Sequence, residues 1–259
     1  MSNLYLSGYP VRTLHRVSLQ GILFLAISFA SMVALQGDLG AAPENAAVLS
    51  RIDGDSASLW LAPAARPGAW RALKRGALAP VGSLIKTGPR THAILVYKGL
   101  EFRVGPASVL AINELVQRGK SSLTVQKGAA WFHLQKNTDQ QLDVHTPTSL
   151  AAVRGTKFAI MATGSAGEQG KACVCEGTIA VGTNKDGDNL QELHTGQSLQ
   201  WQSAGSKMTL YDYSKLFKGR QVDPAFLKRK EAASMQYCLS CHKPGKADQP
   251  NNSPDFSDY

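Results

Sequence analysis

The chain has 259 residues, with 28 Lys and Arg against 19 Asp and Glu, a formal charge of +9, and 43% hydrophobic residues. That apolar share supports a packed core and excludes wholesale disorder, and 24 Gly with 12 Pro but no G-X-Y period exclude a collagen-like fibre. Four cysteines, in the tight pairs Cys173/Cys175 and Cys238/Cys241, are too few for a disulfide scaffold of this length.

Residues 17–37 contain no charge, while Arg12, His15 and Arg16 precede them and the first acid after them is Asp38. Positive charge on the N-terminal side keeps that side in the cytoplasm. Residues 1–42 therefore form a signal or anchor helix. Gly40-Ala41-Ala42 before Pro43 offers a cleavage site. An uncleaved anchor is the other reading, since the segment is near the ~20 residues that span a bilayer. Either way the rest of the chain is expected in the periplasm, exported or anchored to the inner membrane. Without residues 1–42 it carries 26 basic and 18 acidic residues. No aromatic-basic stripe or recognition-helix pattern accompanies this charge, so nucleic acid is not an expected partner. An envelope or periplasmic protein, or the membrane surface, suits it better.

Residues 46–213 read as short strands and tight turns. Stretches 48–52 and 57–61, around Asp53-Gly54, predict a hairpin. Residues 64–80 are a Pro/Gly/Ala-rich connection. Residues 94–97, then Lys98-Gly99, then strictly alternating 100–104 predict the clearest hairpin. Residues 109–112 and 123–125 continue the series, and Lys127-Gly128 is expected to turn the chain into 129–134, which carries Trp131 and Phe132. Leu142 and Val144 alternate with polar neighbours up to Thr146-Pro147. Turn signals recur with no helical period between them, so the fold class is all-β: a sandwich, a barrel or a short solenoid of hairpins. The pattern changes after Tyr213. Asp223-Pro224 starts a predicted helix over 225–237, with Asp as N-cap and Pro at the first helical position. Residues 214–259 thus form a short helical tail ending in a polar, disordered stretch.

Several motifs resemble the FecR-domain family. They are Val81-Gly82-Ser83-Leu84-Ile85-Lys86-Thr87-Gly88, then Gly105-Pro106-Ala107-Ser108. Thr146-Pro147 with Val153-Arg154-Gly155-Thr156-Lys157-Phe158 is the most specific. Cys175-Glu176-Gly177-Thr178-Ile179 and Thr195-Gly196-Gln197 follow. The resemblance implies an extracytoplasmic β domain of signalling or scaffolding type, FecR-like from about residue 46 to 201. Some members of that family regulate sigma factors and carry a cytoplasmic domain ahead of the membrane helix. Here 16 residues precede Val17, so the periplasmic half of such a design is what is expected. On the residues themselves, Gly155 marks a bulge or close backbone approach. Arg154 is expected to pair with a carboxylate or cap carbonyls, with anion recognition as the functional alternative.

Cys238-Leu239-Ser240-Cys241-His242 is the C-x-x-C-H signature of c-type haem attachment. Two thiols at this spacing add to the porphyrin vinyl groups, and the next His supplies the proximal iron ligand. Cys238, Cys241 and His242 are therefore the candidate haem site. Residues 243–259 contain no Met, His or Cys, so a distal ligand must come from elsewhere or be absent; His92, His133, His145, His194 and Met208 are the candidates. Cys173 and Cys175 lie in a predicted strand with both thiols on one face. With Glu176-Gly177 as a two-residue loop, Cys175 would face Thr178 and Cys173 would face Ala180, on the smaller, more accessible side. Joined to Cys238, Cys241 and His242, they could instead form a Zn site or a disulfide. No G-x-S-x-G, H-E-x-x-H or paired carboxylates are present, and 185–189 only faintly resembles a calcium loop, so the chain reads as a non-enzyme. The expected function is periplasmic sensing or scaffolding, with one covalent haem c for redox sensing or electron transfer. The alternative is a non-haem interaction and signal-transduction module.

Overall fold

A computed structural model describes residues 45–136, 139–183 and 190–212, and the backbone alone of 242–243 and 246–250. The N-terminal segment 1–42, the predicted helix 225–237, the 185–189 turn and both cysteines of C-x-x-C-H lie outside the described residues.

Alternating apolar and polar residues, with a polar or glycine turn after each run, produce seventeen strands in residues 46–212. They are β1 (Ala46–Gly54), β2 (Leu59–Pro63), β3 (Arg71–Ala72), β4 (Leu78–Pro80), β5 (Ser83–Thr87) and β6 (Thr91–Tyr97). Next come β7 (Leu100–Val104), β8 (Val109–Glu114), β9 (Gly119–Leu134), β10 (Gln140–His145), β11 (Leu150–Val153) and β12 (Lys157–Thr163). The last are β13 (Gln169–Glu176), β14 (Thr178–Gly182), β15 (Gln191–His194), β16 (Gln197–Trp201) and β17 (Thr209–Asp212). They form two ladders joined through β9. The first runs β4-β1-β6-β7-β9-β12-β13-β16-β17. The second runs β3-β2-β5-β8-β9-β10-β11-β14-β15. Pairing is antiparallel except between β9 and β10. From β6 onward the chain visits the two ladders in turn, mostly two consecutive strands at a time, as a short solenoid of hairpins does.

The inward faces share one core. Leu95, Phe102, Phe132, Phe158 and Leu199 from the first ladder belong to the same buried cluster as Leu59, Ile85, Leu110, Val144 and Val181 from the second. Phe132 and Phe158 stack at a 5.1 Å centroid distance. Each fully buried side chain of this size contributes about 1.5–3 kcal/mol, so the facing ladders hold each other. Trp201 is fully buried and donates Nε1–H to Thr148 Oγ1 at 3.0 Å, which satisfies its one polar atom.

The 94–104 hairpin forms as expected, with Tyr97 opposite Leu100 and Lys98-Gly99 at φ 38° and 92°. Both central residues at positive φ define the type I′ geometry that matches strand twist. Three other expected turns are different. Residues 48–61 make no hairpin, because Asp55 accepts from the Ala57 N–H at 3.0 Å and the Ser58 hydroxyl at 2.5 Å. This cap closes a short 3₁₀ turn over Ser56–Ser58, which sends β1 to the first ladder and β2 to the second. Lys127-Gly128 does not reverse the chain either. β9 is continuous; its Gly119–Lys127 part pairs in the second ladder and Gly128–Leu134 in the first. Gly128, at φ +87°, makes this bend, and a Cβ there would sit 2.1 Å from Ser108 Oγ. Finally, β13 and β14 do not pair across Glu176-Gly177. β13 pairs with β12 and β16, and β14 with β11 and β15.

Candidate functional site

The outward face of the first ladder carries two cross-strand rows. One is Glu101–His133–Lys157–Glu176, set by the β7, β9, β12 and β13 register. The next is Arg103–Trp131–Ala159–Cys173–Ser198, extended to Tyr211 on β17. Both rows face away from the core because their chain neighbours Phe102, Phe132, Phe158 and Val174 face into it.

The charged row ends in a cleft of about 340 Å³ lined by His133, Gln135, Lys136, Thr156, Lys157 and Glu176, with Leu134 and Gly155 behind them. Three chain segments meet here: the end of β9, the 154–156 corner between β11 and β12, and the end of β13. Leu134 N–H donates to the Thr156 carbonyl at 3.1 Å, and Thr156 Oγ1 donates to the Thr178 carbonyl at 2.9 Å. Gly177, at φ +95°, lies against this hydroxyl, and a Cβ there would stand 2.8 Å from it. The residues 153–158 and 175–179 therefore meet in space, with Lys157 opposite Glu176. Their pattern is explained first by this corner.

Glu176 accepts from Lys136 Nζ at 2.7 Å and from Lys157 Nζ at 2.9 Å. Hydrogen bonding to Lys136, then to Lys157, lowers its carboxyl from 4.5 to about 2. His133 is held below its ordinary 6.5, first by burial and next by the Lys157 charge, against the opposite pull of Glu101 and Glu176. Its ring lies 6.0 Å from that of Trp131, and the Arg103 guanidinium stacks 4.3 Å over Trp131 while pairing with Glu101 at 2.5 Å. This is a surface of fixed charges and aromatic planes. No cluster of metal-binding side chains occurs among the described residues. The arrangement is suited to recognition by charge and shape.

The sequence-derived sites fare unevenly. Cys238 and Cys241 lie outside the described residues, and only the backbone of His242 is seen, opening a two-residue strand opposite Pro250 and Lys246. His133 lines the cleft. His92 is half-buried on β6, and His145 half-buried at the end of β10. His194 is exposed and its Nδ1 lies 3.1 Å from Thr178 Oγ1, while Met208 packs partly against the core. These candidates are spread over both ladders rather than gathered round one point. Cys173 and Cys175 are not on an accessible side: they are buried beside Trp131 and Ala159. Cys173 sits opposite Ala159 and Ser198, not Ala180, because β13 pairs with β12 and β16. Arg154 is exposed and makes no ion pair among the described residues; Lys136 and Lys157 take the local carboxylate instead. No sequence signal singled out His133 or Lys136 as cleft residues. No helix among the described residues is long and apolar enough to cross a membrane.

Residues 83–180 match the FecR protein family. No curated protein matches the chain. Two crystal structures of a candidate anti-sigma factor from Parabacteroides distasonis ATCC 8503 align at 15% identity, with TM-scores of 0.44 and 0.43. Each alignment covers 51% of this chain and 61% of the bacterial one, so the chain spans under two thirds of those proteins.

Proposed function

We propose that this chain is a non-enzymatic signalling module of FecR type, working on the exported side of the inner membrane by contact with a protein partner. The observation that carries the reading is the family match over residues 83–180 together with the convergence of its most specific stretches on one charged cleft. Lys136 is the open arm of that cleft, with 60% of its side chain exposed, and it offers a partner carboxylate a contact that Glu176 shares. Regulation of a sigma factor is the finer form of this reading.

Transcript profiling of a deletion strain, complemented with the full-length chain, tests it. A coherent gene set should shift on deletion, return with the wild type, and stay shifted with Lys136→Glu at equal protein level. No transcript change on deletion, or full complementation by Lys136→Glu, sinks the reading. An alkaline phosphatase fusion at Tyr259 should be active if the domain is exported. A second reading rests on Cys238-x-x-Cys241-His242: one covalent haem c, with His242 as proximal ligand and a redox-sensing or electron-transfer role. Pyridine haemochrome spectra after expression with the cytochrome c maturation machinery decide it, and a denaturing gel without haem stain rejects it.

A further inference from the structure

The second row on the outward face, and Met161 and Lys171 in the row beside it, are buried without a described element over them. Trp131 is 6% exposed, Met161 8%, Lys171 7%, Cys173 3% and Ser198 0%. A Trp, a Met and a Lys standing off one side of a single sheet do not hide each other to this degree. The polar groups point the same way. Trp131 Nε1, Lys171 Nζ and Ser198 Oγ are buried and have no hydrogen-bond partner among the described residues. A buried ammonium left so is costly, by several kcal/mol in general, unless an acceptor reaches it. The face thus calls for a cover that is apolar along one stripe and supplies acceptors.

We infer that the cover is the chain's own C-terminal segment, beginning at residue 213, docked through its predicted helix 225–237. The point of departure favours it. β17 is the edge strand of this ladder, and Tyr211 lies in the same row as Ser198 and Cys173, so the chain leaves the sheet one residue beyond that row. The dimensions agree. From β16 to β7 the row crosses four strand spacings, about 19 Å. A helix of residues 225–237 is about 20 Å long. Its pattern agrees as well. Phe226, Ala233 and Tyr237 fall on one stripe at i, i+7 and i+11, fit to lie on Trp131, Ala159 and Met161, and Lys230 at i+4 borders that stripe with its aliphatic stem along the apolar surface. Asp223, at the helix N-cap, supplies a carboxylate, and the helix C-terminus supplies carbonyls, for the Lys171, Trp131 and Ser198 donors.

The test uses the full chain. p-Benzoylphenylalanine in place of Phe226 should cross-link within the molecule to peptides containing Trp131, Met161 or Cys173. Cross-links to a second copy, to another protein or to residues 1–42 would each name a different cover and overturn the inference, as would no cross-link at all. A second measurement does not depend on that substitution. In Cys238→Ser/Cys241→Ser protein, Cys173 and Cys175 are the only thiols. Native maleimide labelling should be slow and should quicken at least tenfold when Phe226→Asp and Tyr237→Asp are added, with the β-sheet circular dichroism unchanged. Fast labelling before those changes, or an unchanged slow rate after them, rejects the docking. The result is independent of whether haem is attached and of whether a sigma factor is the partner.

Discussion

Glu176→Gln removes one charge from the corner and leaves the side chain's size unchanged. The wild-type carboxyl is held at about 2 against an ordinary 4.5 by hydrogen bonds from Lys136 and Lys157. Taken whole, that gap corresponds to roughly 3 kcal/mol. However, the Glu176 side chain is 38% exposed and Lys136 60% exposed, so solvent screens the attraction. About 1 kcal/mol is the expected contribution at neutral pH. The sign follows from the direction of the shift. A depressed carboxyl favours the folded state above pH 4.5, and the benefit is lost as pH falls from 4.5 toward 2. Urea unfolding of both proteins at pH 7, 5, 4 and 3 should show a gap of ~1 kcal/mol at pH 7 that closes steadily below pH 4.5. At pH 7 it should appear as a melting shift of ~2–4 °C for a domain of this size. A gap that persists unchanged at pH 3 would mean that the amide disturbs packing and that the ion pairs contribute nothing. No gap at pH 7 would refute the reasoning as well.

Gly128→Ala should cost about 3 kcal/mol, because the residue sits at φ +87° and the new Cβ meets Ser108 at 2.1 Å. Gly68→Ala, with nothing within 4 Å, is the control and should lie within ~1 kcal/mol of wild type by urea titration. Phe132→Ala removes one ring of the stacked pair at 5.1 Å and should destabilise by ~3–5 kcal/mol. In a proton NMR titration His133 should show a midpoint below 6.5, and Lys157→Gln should raise it, since the Lys157 charge is among the causes that hold it down. An unmoved midpoint would assign the shift to burial alone.

Alternation made the individual strands legible. The Ile94–Val104 hairpin and the Leu142/Val144 strand follow from period-2 patterning and a positive-φ turn pair. What alternation does not carry is the destination of the chain after a glycine. Gly54, Gly128 and Gly177 all take positive φ, and all read as hairpin turns. In each case the chain instead passes to the facing ladder, because a fold-back and a crossing ask the same of the backbone at that one residue. The choice is made by contacts far off in sequence: the Thr91 hydroxyl donating to the Asp55 carbonyl, Ser108 against Gly128, and the Thr156 hydroxyl against Gly177. The cysteines illustrate the same limit. Parity placed their thiols opposite Val174, which is correct, but parity cannot say whether that second face is wet. The cleft was half legible: Gly155, Lys157 and Glu176 stand in motif-like stretches, whereas His133 and Lys136 come from a strand end with no local signature.

The two rows on the outward face cannot act separately. Adjacent outward residues on one strand are about 7 Å apart, so a helix lying on the Trp131 row borders the His133 row along its whole length. Arg103 joins them physically, stacking on Trp131 while pairing with Glu101. A partner entering the cleft would therefore touch the edge of the docked C-terminal segment. Undocking by Phe226→Asp and Tyr237→Asp should then alter the transcriptional output to a degree that Lys136→Glu abolishes. The combined variant should behave as Lys136→Glu does alone. Additive effects of the two sets of substitutions would show that the cleft and the covered row serve different partners.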